Sequence, residues 1–350
     1  MYPLLFKPNL HPTVWGGKRL AAWKGLSAHE TSFAPDVPIG ESWEVSTVPS
    51  SLSVIANGRW QGKTLAEIIE KFPDKTLGAG VAQRYGNALP LLVKFIDADS
   101  DLSIQVHPDD AMARRHHGKN GKTEMWYIID AKPGAFLYAG FKRKLTREEY
   151  VRMVADGTIC DALARHEVRK GDVFYLPAGR VHAICGGILL AEVQQSSDVT
   201  YRIFDYNRMG MDGKPRELHT ALASEALDFE VQDEYRTIYD DDERRANHCI
   251  DSPFFNVRVV ELDAPFHRNL LKYDSFVITM CLKGDCLIKI RSTRQGVVLR
   301  EGYSCFIPAS IADYDVIPVN ETTRLLDAYI DNKARSILSM ATRFLHITDR

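Results

Sequence analysis

Gly171-Asp-Val-Phe-Tyr-Leu-Pro177-Ala-Gly179-Arg-Val-His182 is written twice in this chain. The second copy, Gly302-Tyr-Ser-Cys-Phe-Ile-Pro308-Ala-Ser310-Ile-Ala-Asp313, keeps the frame but ends with Ser and Asp where the first has Gly and His. In each copy an apolar strand runs into a sharp turn at Pro and a small residue, and the turn feeds the next strand. A phrase that recurs in one chain signals a duplicated unit. Only the first copy ends on an imidazole. The expectation is two β-barrels, one of them with a live site.

Outward from this phrase, short apolar segments broken by Gly, Pro and Asp dominate. They cover 91–96, 102–106, 125–129, 173–176, 188–193, 254–260, 276–282, 286–290 and 304–307. Many short, evenly spaced strands favour an antiparallel sandwich or barrel. Two helices interrupt them. Thr64-x-x-Glu67 is a capping-box pattern, followed by Leu65, Ile68, Ile69 and Phe72 at helical spacing before Pro73. Thr146-x-x-Glu149 opens the second, with Val151 and Val154 on its apolar side and an end near Gly157. Asp240-Asp-Asp-Glu-Arg-Arg245 reads as a solvated connector. It places a metal-binding domain over 1–240 and a second domain, without metal ligands, over 246–350.

The 350 residues leave room for one large or two ordinary domains. A net charge of −2 argues against bulk nucleic-acid or anionic-membrane partners. The apolar runs are too short to span a bilayer, and Met1-Tyr-Pro-Leu-Leu-Phe-Lys7 lacks the pattern of a signal peptide. The six cysteines form no C-x-x-C pair. The expectation is a cytoplasmic protein with reduced thiols.

Three segments carry the chemistry. In Asp101-Leu-Ser-Ile-Gln-Val-His-Pro108, Leu102, Ile104 and Val106 alternate with Ser103, Gln105 and His107. On a strand the aliphatics face a core and the polar groups face the other way, so Gln105 and His107 can reach one ion. Glu124 heads the apolar strand Met125-Trp-Tyr-Ile-Ile129, where an unpaired carboxylate would be costly. His182 closes the repeated phrase. One amide, two imidazoles and one carboxylate form an N/O ligand set suited to zinc or another first-row divalent ion.

At this point the residues resemble a family. Ser103-Ile-Gln-Val-His-Pro-Asp109, Lys122-Thr-Glu-Met-Trp-Tyr127 and Gly171 to Ala183 are similar to segments of the type I phosphomannose isomerases, which are zinc cupins. Trp15-Gly-Gly17, Pro38-Ile-Gly-Glu-Ser-Trp43, Leu89-Pro-Leu-Leu-Val-Lys94 and the stretch from Glu192 to Arg202 extend the likeness over most of residues 10–210. The remainder matches in architecture more than in motif, and the size resembles the short bacterial form. The resemblance implies a mainly β fold of two cupin-type jelly-roll β-barrels with a few short helices. It also implies one Zn2+ per chain, held by Gln105, His107, Glu124 and His182. The family's essential arginine falls on Arg202, and Glu192, Lys122, Ser103 and Lys94 fall on pocket positions. Longer members follow the arginine with A-G-x-T-P-K. Here Ile-Phe-Asp-Tyr-Asn-Arg208 follows, which offers Arg208 in place of the lysine that meets phosphate. The helical insert of longer members is missing.

Aldose–ketose isomerisation moves a proton between adjacent carbons, and removing a carbon-bound proton is its hard step. A divalent ion offsets the negative charge that develops on oxygen, and a base must lie within hydrogen-bond reach of both carbons. Glu192 is the first candidate: Leu190, Glu192 and Gln194 share one strand face beyond the Gly186-Gly187 turn. Lys122 is the rival proton handler, or a partner for negative charge beside the metal. His116 and His117 read as loop residues. Arg202 and Arg208 suit phosphate or developing oxyanions, and a remote phosphate anchor holds the reacting carbons in place. The leading reading is interconversion of mannose 6-phosphate and fructose 6-phosphate. Its rivals are an isomerase of another sugar phosphate such as glucose 6-phosphate, a non-catalytic sugar-phosphate-binding cupin, and an iron cupin oxygenase. Retention of Glu192, Lys122 and Arg202 counts against a pure sensor. The Gln ligand and four-residue set fit poorly with an open 2-His-1-carboxylate iron site.

Overall fold

The structure, a computed structural model, describes residues 1–242, 246–271 and 273–331. Within these the protein is mainly β, with short helices between strands. It divides into two compact units. One holds residues 8–44 and 91–238; the other holds residues 1–7, 45–90 and the described residues from 239 onward. The break after Ile238 falls beside the acidic connector, of which 243–245 lie outside the described residues. Residues 1–7 and 45–90, which chain order alone assigns to the first domain, pack with the second unit.

The first unit is two antiparallel sheets. The larger runs in the order Arg236–Thr237, Val173–Leu176, Glu124–Ala131, Ile188–Gln195, Leu91–Ala98, Leu10–Gly17, Ile39–Val45. The smaller runs Tyr201–Phe204, Ile104–Val106, His182–Ile184, Phe136–Phe141, Leu163–Glu167. Apolar side chains such as Trp126, Ile128, Leu137, Phe174 and Leu190 form a buried cluster. A second cluster, with Ile104, Val106, Phe141, Tyr150 and Ile203, includes residues of the helix Arg147–Ala155. Leu10–Gly17 and Ile39–Val45 approach closely because both are glycine-bearing. A Cβ on Gly16 would lie 2.4 Å from the Gly40 nitrogen, and one on Gly40 would lie 2.0 Å from the Thr13 hydroxyl.

The second unit repeats the plan. A six-stranded sheet includes Ser304–Ile307, and a four-stranded sheet includes Asp313–Pro318. The two copies of the repeated phrase therefore do the same thing. Each starts at a glycine with positive φ, Gly171 at 90° and Gly302 at 79°. Each then lays a strand in the larger sheet and turns at Pro. His182 and Asp313 are each the first residue of a strand in the smaller sheet.

Both capping boxes form. Thr64 caps Leu65–Lys71 and Thr146 caps Arg147–Ala155, each with reciprocal bonds to the glutamate three residues on. The second helix is turned differently from the expectation: Val151 is 47% exposed, and Tyr150 is its buried residue. His116 and His117 are not in a loop but end the helix Asp110–His117, capped by the Asp109 side chain. All six cysteines are free thiols. Among the described residues no helix is long and apolar enough to cross a membrane.

Candidate metal centre and its pocket

Strand register assembles the site. On the smaller sheet His182 pairs with Gln105, and Gln105 pairs with Arg202 on its other side. Strands lie about 5 Å apart, so these three form one row. On the larger sheet Glu192 pairs with Lys94 on one side and Trp126 on the other. Ile104 and Val106 are buried in an apolar cluster, while Ser103 and Gln105, together with Leu102, line a cavity of about 340 Å³. Lys94, Lys122, Glu192 and Arg202 line the same cavity.

His107, Glu124 and His182 place ligand atoms within 4.8 Å of one another, all buried. His107 Nε2 lies 3.3 Å from Glu124 Oε2, and His182 Nε2 lies 3.2 Å from Glu124 Oε1. The two distances run to different carboxylate oxygens, and separations of this size are those that donors gathered around one divalent ion adopt. The outer ring nitrogens point the same way. His107 Nδ1 is 3.0 Å from the Val199 carbonyl and His182 Nδ1 is 2.9 Å from the Arg180 carbonyl. An N–H donated to each carbonyl leaves both Nε2 lone pairs facing the centre. Glu124 Oε1 is buried with no hydrogen-bond partner. The Gln105 amide stands 3.2 Å from His182 Nε2, and a half-turn of that amide would present its oxygen instead. The residues therefore fit a divalent ion.

Charge is arranged around this centre. Lys122 Nζ donates to His107 Nε2 at 2.9 Å and also contacts Glu124. Burial and the neighbouring Lys122 charge push the His107 imidazole down to about 3, and burial likewise lowers His182, which favours the neutral form that a metal needs. Burial opposes ionisation of Glu124, but Lys122 and the two histidines outweigh it and hold the carboxyl well below its usual range. Glu192 goes the other way: burial, then the Glu124 charge, raise its pKa. Its Oε2 accepts from Trp126 Nε1 at 3.0 Å, and its Oε1 lies 3.3 Å from Lys94 Nζ. Burial disfavours the Lys94 ammonium, but Glu41 and Glu192 overcome that and keep it charged.

The structure adds residues that the sequence reading did not assign to the pocket. Glu41 accepts from Trp43 Nε1 at 2.6 Å and lies 3.7 Å from Lys94 Nζ. Trp15, Glu41 and Trp43 line the cavity. Their alternation along Trp15-Gly-Gly17 and Pro38 to Trp43 was a usable signal, since residues 41 and 43 share a strand face. Arg216 and His219 also line it, from irregular chain and a helix start that carry no periodic signal. Arg208 is not among the lining residues. It bonds Asp205 and the Asp101 carbonyl and borders a separate cavity with Gly186 and Gly187. In the second unit Asp313, the counterpart of His182, meets His267 at 2.6 Å on a half-exposed surface. Among the described residues no ligand cluster forms there.

Comparisons with known proteins converge on one family. The family profile for the phosphomannose isomerase type I catalytic domain matches residues 4–133, and that for the mannose-6-phosphate isomerase cupin domain matches residues 245–321. YvyI of Bacillus subtilis is 34% identical over 319 residues, covering 90% of this chain and 95% of its own. The mannose-6-phosphate isomerase ManA of the same organism is 40% identical over 238 residues, or 68% of this chain and 71% of that one. A crystal structure of mannose 6-phosphate isomerase from Bacillus subtilis matches with a TM-score of 0.83 at 32% identity, across 94% of this chain and 100% of that chain. The chain belongs to the type I phosphomannose isomerase family.

Proposed function

We propose that this protein interconverts mannose 6-phosphate and fructose 6-phosphate, with one Zn2+ held by Gln105, His107, Glu124 and His182. We also read each pair of sheets as a cupin-type jelly roll, the first carrying the chemistry and the second structural. The observation that carries the reading is the meeting of His107, Glu124 and His182 donors beside a cavity that Lys122, Glu192 and Arg202 line.

When bound, the ion supplies Lewis-acid relief of the negative charge that builds on the sugar oxygens. The chain's own groups do the rest. Glu192 is the base that takes the proton from C2 and returns it to C1; its raised pKa suits a group that must both accept and release a proton near neutral pH. Trp126 and Lys94 hold that carboxylate in place from either side. Lys122 donates hydrogen bonds to the oxygens that gain charge, and Arg202 orients the substrate across the pocket. Ser103, buried in the same wall, offers a hydroxyl to the sugar. The test is zinc-reconstituted protein incubated with mannose 6-phosphate in heavy water and followed by NMR. Fructose 6-phosphate should form, with solvent deuterium entering at C1. Absence of that product, or equal turnover of glucose 6-phosphate, would defeat the assignment.

A further inference from the structure

We propose that Arg216, gripped by Asp205, joins Arg202 to form the anion-binding end of the pocket and receives the phosphate monoester of the substrate. This rests on the reading of the cavity as a sugar-phosphate site. Asp205 is 4% exposed. It accepts from Arg216 Nε at 2.7 Å and from Arg216 Nη2 at 2.6 Å. A two-point fork of this kind fixes the plane of the guanidinium. It leaves Nη1 without a partner among the described residues, on a side chain that lines the cavity.

Asp205 also accepts from Arg208 Nε at 3.0 Å and Nη2 at 2.8 Å, so one carboxylate serves two guanidiniums. Arg202 adds a third. Its Nη1 donates at 2.9 Å to the uncharged Glu217 carbonyl, and its Nε is buried with no partner. Burial and then the neighbouring Arg216 charge disfavour the Arg202 guanidinium, and Asp205 and the exposed Glu217 offset this only in part. Arg202, Arg208 and Arg216 set against the single carboxylate of Asp205 leave this wall with excess positive charge, which a dianion that can accept several charge-assisted bonds would match. His219 contributes on the same wall. Its Nδ1 accepts from the Arg202 backbone N–H at 3.1 Å, which sets the tautomer with the proton on Nε2 and makes that nitrogen a donor. Arg208 is then the brace behind Asp205, and Arg216 is the contact.

The test titrates inorganic phosphate into the metal-loaded full chain by calorimetry, beside KM and kcat for mannose 6-phosphate. Arg216→Ala should weaken phosphate binding about tenfold or more and raise KM similarly, with kcat within about threefold. Arg216→Lys should fall between, keeping the charge but losing the fork. Arg208→Ala should lose less phosphate affinity than Arg216→Ala. Wild-type phosphate affinity in Arg216→Ala, or a larger loss in Arg208→Ala, overturns the proposal. If Arg216→Ala does not fold, wild-type affinity in Arg216→Lys overturns it instead. Lack of turnover by the wild type would sink the isomerase reading, and the phosphate titration would still decide this one.

Discussion

Replacing Glu192 by Gln removes a charge and keeps the shape. The amide oxygen can still accept from Trp126 Nε1, which now bonds Glu192 Oε2 at 3.0 Å. Lys94 loses the partner at 3.3 Å but keeps Glu41 at 3.7 Å. The ionised Glu192 is itself disfavoured, because burial and the Glu124 charge raise its pKa. A carboxyl raised in the folded state contributes stability below its unfolded pKa and loses it as pH rises through the folded pKa. At neutral pH the substitution therefore removes no stabilising ionisation, and the melting temperature should shift by only a few degrees, about 1 kcal/mol or less. Turnover is a different matter. A positioned base contributes about 10²–10⁴ in rate, roughly 2.7–5.4 kcal/mol of barrier. The assay is kcat on mannose 6-phosphate, with zinc content and melting temperature measured on the same sample. A kcat within tenfold of wild type, at full zinc content, would remove Glu192 as the base and leave Lys122.

Arg202→Ala should retain its metal yet lose at least about a hundredfold in turnover, near 2.7 kcal/mol; full activity would end the role given to Arg202. Lys24 and Glu44 form a buried ion pair at 2.7 Å. Lys24→Met alone should cost about 3–5 kcal/mol in urea unfolding, and adding Glu44→Leu should recover most of it; an equal or greater loss in the double variant contradicts this. Stability of the metal-free protein also depends on pH. His107 is held at about 3 when folded, against about 6.5 when unfolded. The folded state thus binds fewer protons in that window, and metal-free protein loses stability as pH falls from 6.5 toward 3, by up to about 1.4 kcal/mol per pH unit. His107→Gln should flatten that slope, and an unchanged slope would show that His107 does not titrate as the site implies.

The repeated phrase made the duplication legible because a strand, a proline turn and a second strand each leave local marks. Both capping boxes were legible for the same reason. The segment from Leu102 to His107 offered Ser103, Gln105 and His107 as one strand face through simple alternation, and Ser103 and Gln105 do line the cavity, although burial does not alternate along it. What lay beyond reach depends on contacts distant in sequence. The grouping of residues 45–90 with the second unit is set by packing across the chain, which no local pattern records. Val151 reads as apolar-face by spacing, but Tyr150 fills more volume and takes the buried position. Arg208 and Arg216 carry the same side chain on the same irregular stretch. Both bond the buried Asp205, and only their placement in three dimensions puts Arg216, and not Arg208, on the cavity wall.

The most direct measurement is a zinc titration of chelator-stripped protein, with bound metal and isomerase turnover read together. Turnover should climb in proportion to zinc and level off at about one equivalent per chain, and His182→Ala should abolish both the tight binding and the climb. Full turnover from protein holding less than about a tenth of an equivalent of metal would contradict the claim that His107, Glu124 and His182 meet in order to hold an ion.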